Sequence, residues 1–208
     1  MSKLSLKTAP TVPVVTTADM KSYLKVDTLI TEDDTLIASL VKAATSKIEK
    51  LARIALITQT FEYYLDAIGN KIELPRPPLQ SVTTFQYYDE SYTVYTMPAS
   101  LYVVKAFAIA DPGFILRLKY ESWPVYTDGG CGILITYKAG YGDASTSVPD
   151  DLITALKMIV AHWYDNRESQ EIPPEAMTII ESYKIFFPPG GDWLWQLNLT
   201  SVKWIKEC

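Results

Sequence analysis

The sequence predicts an α+β fold: a bundle of about four helices, split by an inserted and mostly antiparallel β unit and followed by an extended tail. Three observations predict it. Apolar residues recur at helical spacing over residues 16–56 and again over 143–187. Over residues 57–142 the period falls to two, with turn residues separating short runs. From residue 188 a Pro-Gly break leads into a second stretch of period two. The order helix, helix, sheet, helix, helix is not βαβ alternation, so the two helical parts are expected to pack as one bundle from which the β unit projects.

Residues 1–15 mix Pro, Thr and Ser with scattered apolar residues and are expected to form a flexible arm. Thr16 and Asp19 have the spacing of a capping box at the start of a short helix, with Met20, Tyr23 and Leu24 on one face. A longer helix is expected from near Thr31, with Glu32, Asp33 and Asp34 at the positive end of its dipole. Leu36, Ile37, Leu40, Val41, Ala44, Ile48 and Leu51 form its apolar stripe, and Lys42, Lys47, Glu49 and Lys50 fill the other face. The acidic run lacks the glycine and spaced ligands of a calcium loop, so it reads as helix capping.

The stretch "ITQTFEYYLD" (57–66) alternates, with Ile57, Phe61, Tyr63 and Leu65 on one side and Thr58, Thr60, Glu62 and Asp66 on the other. "KIELPRPPLQSVTTFQYYDE" reads as a short strand, a proline corner and a second strand. Pro75, Pro77 and Pro78 donate no ladder hydrogen bonds, which puts the corner outside the sheet. Further strands are expected at 93–97, 101–104, 114–119 and 132–138, separated by turns at 89–91, 111–113 and 128–130. Helical spacing returns with Ser147 as the expected cap, Pro149 in the first turn, and a stripe of Leu152, Ile153, Leu156, Ile159, Val160 and Trp163. A last helix is expected with Pro174 in its first turn and Pro188–Pro189 as its stop.

The chain has 208 residues, 48% hydrophobic and 21% charged, which suits one sizeable core-forming domain or a domain carrying an insertion. Its 14 tyrosines outnumber 6 phenylalanines and 5 tryptophans, a balance suited to strands and interfaces. A net charge of −5 without a basic stripe argues against tight binding to a nucleic-acid backbone. Cys131 and Cys208 lie far apart and are read as thiols. The N-terminus lacks the pattern of a signal peptide, and no run of about 18 apolar residues is present, so a soluble protein made in a cytoplasm is expected, with no membrane partner.

"VAHWYDNRES" (160–169) holds the only histidine of the chain. On a helix His162 lies beside Asp165 and Asn166, and Trp163 beside Arg167, whose guanidinium is expected to cover the indole. A hydrolase reading makes His162 a general base oriented by Asp165. It lacks a nucleophile to serve, and one histidine excludes a multi-histidine metal site. The cluster of His162, Trp163, Asp165 and Arg167 therefore reads as a structural helix end, with no catalytic, cofactor or metal residue expected. Tyr87, Tyr88, Tyr92 and Tyr95 suggest a ligand-binding β module, against which stands ordinary sheet packing. In the tail, Trp193, Trp195, Leu197 and Leu199 alternate with Leu194, Gln196, Asn198 and Thr200. Such a strand either completes the chain's own sheet or is donated to a partner. The hinge at 188–191 favours donation, with Trp193 and Trp195 as anchors.

"IELPRPPLQSVTTFQYYDE", "SLYVV", "ESWPV", "ILITYKAGYGD" and "VPDDLITALKMIVAHWYDNRES", in that order, resemble the head–tail connector (adaptor, or head-completion) proteins of tailed bacteriophages, in the subfamily with a β insertion between helical halves. The resemblance covers about residues 16–187. It implies a structural, non-enzymatic virion protein at the neck, assembled in host cytoplasm as a ring, usually twelve-fold, under the portal. Such a ring extends the DNA channel without specific DNA binding and meets the stopper or tail-completion protein, roles this chain could alternatively fill itself. The resemblance further implies that the tail strand of Trp193, Trp195, Leu197 and Leu199 grips the portal.

Overall fold

The structure, a computed structural model, describes residues 2–106, 112–127, 130–168 and 170–185. The tail strand expected at Trp193, Trp195, Leu197 and Leu199 lies outside the described residues. The last helix, expected to run to the Pro188–Pro189 stop, ends earlier, at Ser182, where Tyr183 caps it by donating its N–H to the Ile180 carbonyl.

Among the described residues four helices form the bundle: α1 (Thr17–Leu24), α2 (Asp34–Ala52), α3 (Asp150–Asp165) and α4 (Pro174–Ser182). Helix α1 starts where the capping residues predict, with Thr16 Oγ1 accepting the Asp19 backbone N–H at 3.1 Å. Helix α2, expected from near Thr31, begins at Asp34, and its N-cap residue Asp33 makes no side-chain capping bond because the carboxylate is used elsewhere. Asp33 accepts the Tyr164 hydroxyl at 2.5 Å, across from the end of α3. Asp34 pairs at 2.5 Å with Lys21, a lysine only 3% exposed that also donates to the Thr28 carbonyl. These contacts pin α1 and α3 to the start of α2. Ser147 does not cap α3. It sits in a separate 3₁₀ turn (Ser145–Ser147), and the helix begins after Pro149, whose missing N–H removes no helical bond there. Pro174 is the first residue of α4, as predicted.

Ile37, Val41, Ala44, Ile48 and Ala52 of α2 share one core with Leu152, Leu156, Ile159, Val160 and Trp163 of α3, and α4 adds Ala176 and Ile180. Each such Leu or Ile contributes about 2 kcal/mol relative to exposure. Val14 and Val15 enter this same core at 2% and 3% exposure.

All strand pairings among the described residues are antiparallel. A five-stranded sheet has the order β1 (Ser2–Thr8), β2 (Gln59–Leu65), β8 (Ile133–Ala139), β4 (Leu79–Tyr88), β5 (Val94–Thr96). A three-stranded sheet has the order β3 (Lys71–Glu73), β7 (Phe114–Arg117), β6 (Tyr102–Lys105). The sheets enclose a second core, in which Ile72 and Ile115 from the small sheet meet Phe61, Phe85, Ile135 and Tyr137 from the large one. Tyr137 is fully buried, and its hydroxyl donates to the Pro75 carbonyl at 2.5 Å.

Residues 2–8, expected within a flexible arm, instead form edge strand β1, paired with β2 from Ser2↔Leu65 to Thr8↔Thr60. The alternation of Leu4 and Leu6 with Ser5 and Lys7 is a strand signal. The physical reason is the edge of β2, whose N–H and C=O groups need partners.

Bundle and sheets are joined by backbone bonds from Ala55 N to Pro77 O (2.9 Å), Thr58 N to Gly142 O (3.0 Å) and Tyr141 N to Leu56 O (3.1 Å). Gly140 belongs to this seam: at φ +133°, an added Cβ would lie 2.5 Å from the Ile57 carbonyl oxygen. Glu49, expected on the solvated face of its helix, is turned into the seam. Its Oε1 accepts the Leu56 N–H at 2.9 Å and Gln59 Nε2 at 2.6 Å, while Arg76 donates to the Glu49 carbonyl at 2.5 Å. Desolvation raises the Glu49 pKa above its ordinary value, against the lowering effect of these bonds.

Candidate assembly surfaces

The cluster read from "VAHWYDNRES" occupies the end of α3, where Asp165 is the last helical residue. Asn166 Nδ2 donates to the His162 carbonyl at 3.0 Å and lies 3.4 Å from His162 Nδ1, closing the helix. The Asp165 carboxylate is not among the hydrogen-bond partners of the imidazole, so the orientation a general base requires is not built. Trp163 is buried and donates its indole N–H to the Glu171 carbonyl at 2.8 Å, tying α3 to the segment before α4. This bond takes the place of the expected stack: among the described residues the cation–π contacts are made by Lys71, Lys119 and Lys157, not by Arg167. Arg167 instead lines a groove of roughly 430 Å³ with Trp163, Lys47 and Lys50. The Tyr164 hydroxyl, held by the Asp33 carboxylate, has its pKa raised. Spacing thus identifies the residues that meet at this helix end but not their partners, which come from α2 and the following segment.

Two grooves flank the exposed face of α2. The one containing Arg167 lies on the Leu40, Ala43 and Lys47 side. The other, roughly 490 Å³, runs between Ala38, Lys42 and Thr45 and the segment from Leu6 to Val14. Between them the helix presents lysines and small residues. This surface is legible in the sequence only in part, because spacing alone groups Glu49 with the lysines.

The β unit offers two further surfaces. At its far end Tyr64, Tyr88, Tyr92 and the free thiol Cys131 line a hollow of roughly 170 Å³, and Tyr87 stacks on Tyr95 with centroids 5.5 Å apart. Along one side β1 is the edge of the five-stranded sheet, with Leu6 50% exposed and Lys7 paired to Glu62 at 2.9 Å. Among the described residues no group of three His, Cys, Asp or Glu could hold a metal ion, and no helix is long and apolar enough to cross a membrane.

The architecture matches solved structures along nearly its whole length. A chain in the neck of an empty gene transfer agent particle, computed with C6 symmetry, superposes with a TM-score of 0.77 at 23% identity, over 91% of this chain and 100% of that one. A chain of the native gene transfer agent virion gives 0.76 at 24% identity, covering 90% and 98%. A chain in the native particle's neck, computed with C12 symmetry, gives 0.71 at 24% identity, covering 90% and 100%. No curated protein matches the sequence. The family model described as head completion protein, however, matches residues 13–186, from the buried Val14–Val15 segment to beyond α4. By that match, which spans both helical parts and the β unit between them, the chain belongs to the head completion protein family.

Proposed function

We propose that this structural head–tail protein assembles as a ring of twelve subunits in the neck, beneath the portal, where it extends the DNA channel and receives the stopper or tail. The observation that carries the reading is the agreement of family and fold. A head completion protein shares its whole bundle-and-sheet architecture with chains from particle necks computed with six-fold and twelve-fold symmetry. The chemistry is compatible. Twelve copies at −5 each carry a formal charge of about −60, a single-signed field past which DNA slides rather than sticks. The tail strand, with Trp193, Trp195, Leu197 and Leu199, is proposed to grip the portal by strand addition.

Mixing the protein with its cognate portal and imaging the product by electron microscopy tests this, beside a sample truncated after Phe187. A ring on the portal with the full chain and none with the truncation supports both statements. Rings in both samples leave the ring and remove the tail as the grip. Rings in neither overturn the adaptor position and favour a stopper or tail-completion role.

A further inference from the structure

We propose that neighbouring copies of this chain meet helix to helix, with the outward face of α2 in one copy docking on the outward face of α3 in the next. The inference rests on the ring reading and says which surfaces close the ring. A ring contact is heterologous, so it needs two different, complementary patches on opposite sides of one subunit. Helices α2 and α3 pack against each other through the shared core, with α4 also against α3, so the residues each leaves exposed lie away from their common contact.

The two faces also differ in sign. Beyond its first turn, the exposed charges of α2 are Lys42, Lys47 and Lys50, since Glu49 is drawn into the seam. Arg167 adds a further cation beside Lys47 and Lys50. The exposed charges of α3 are Asp150, Asp151 and Asp165. Its one lysine, Lys157, is half-buried and lies 6.0 Å from the centre of the Tyr23 ring. The Tyr183 hydroxyl reaches Asp151 at 3.4 Å without covering it. A net charge of −5 spread over the chain conceals this polarity.

Size agrees with sign. Between the lysines α2 carries Ala43 and Ser46, with Ala38 and Ser39 a turn before them. Between the aspartates α3 carries the exposed Thr154 and the half-buried Lys157, Met158, Ala161 and His162. The short side chains of α2 leave room for the half-buried Met158 of α3 and permit axes within the 8–10 Å range, close enough for the long lysines to reach carboxylates. The helices have 19 and 16 residues, about 28 and 24 Å at 1.5 Å per residue, so the faces match in length. A second copy suits the basic face better than DNA does. The whole chain repels a polyanion, whereas every copy carries the acidic face that neutralises these lysines.

The test joins cross-linking to charge exchange. Copies carrying Ser46→Cys are co-assembled with copies carrying Thr154→Cys, both with Cys131→Ser and Cys208→Ser, and rings or particles are oxidised. Each copy then holds a single cysteine, so any disulfide must join two copies, and one linking positions 46 and 154 identifies the facing helices. That cross-linked dimer is expected in the mixed assembly and not in either variant alone. Rings without it overturn this contact but not the ring, whereas absence of any ring with unmodified protein overturns both.

In parallel, Lys42→Glu with Lys47→Glu and Lys50→Glu is compared with Asp151→Lys plus Asp165→Lys, folding being checked by circular dichroism. Asp151→Asn with Asp165→Asn is a milder control for the helix terminus. Each reversal should raise the concentration for half-assembly at least about tenfold, and mixing the two reversed proteins should restore it, since like charges face each other in one case and opposite charges in the other. No restoration from two folded partners refutes the pairing. Normal assembly of the lysine reversal, with altered DNA retention, assigns the lysines to DNA and also refutes it.

Discussion

Glu49 offers the sharpest test of how bundle and sheets are joined. Removing its carboxylate by Glu49→Ala leaves two buried donors, Leu56 N–H and Gln59 Nε2, without their acceptor. Each orphaned donor costs about 1–3 kcal/mol. Relief from burying a charge offsets part of this, leaving about 3 kcal/mol of destabilisation. For a chain of 208 residues that lowers the melting temperature by about 6–12 °C.

Glu49→Gln keeps an oxygen where both donors point and carries no charge, so its change should stay within about 1 kcal/mol. The pH dependence adds a second readout. Desolvation raises the folded-state pKa of Glu49 above 4.5, so the folded protein holds this proton more tightly than the unfolded chain. The stability contributed is complete below pH 4.5 and is lost as pH rises through the raised value. Glu49→Gln should remove that part of the slope. Thermal melts followed by circular dichroism at several pH values measure both effects. Equal melting temperatures for the Ala and Gln variants at pH 7 would refute the view that the oxygen acceptor holds the seam.

Gly140→Ala places a methyl group against the Ile57 carbonyl at a strained φ, and should cost at least about 3 kcal/mol, visible as a lower yield of soluble protein and a lower denaturant midpoint. At the Lys21–Asp34 pair the lysine is buried and the aspartate part-exposed. Lys21→Met strands Asp34 Oδ1, which is buried, but leaves the part-exposed carboxylate access to water. It should therefore cost less than Asp34→Ala, which should cost about 3 kcal/mol by stranding a buried ammonium; urea titrations that rank the two the other way contradict this. Trp163→Ala should lose about 3–5 kcal/mol, whereas His162→Ala, whose hydrogen bonds are exposed, should shift stability by less than about 1 kcal/mol. A His162→Ala protein that folds normally yet fails to complete heads would give the imidazole a role beyond ending the helix.

Element types and order can be read from the residues alone, because burial on one face imposes a period on each segment. The stripe Ile37–Val41–Ala44–Ile48 and the alternation of Phe61 and Leu65 are satisfied by helix and strand and by nothing else. Caps are readable where the side chain serves its own helix, as Thr16 does. They mislead where a distant partner competes: Asp33 goes to Tyr164 and Asp34 to Lys21, so carboxylates expected to serve the start of α2 tie it to other helices. Glu49 misleads for a related reason. A polar residue at the edge of an apolar stripe looks solvated until the sheet that covers it is in place. The strand at residues 2–8 belongs to the same class, since its seven residues have too little apolar surface to order alone and do so only on the open edge of β2. Local pattern is written in neighbouring residues. The division of the β unit into two sheets, the seam through Gly140 and Glu49, and the opposed charges of α2 and α3 depend on residues tens of positions apart. Only packing brings those residues together.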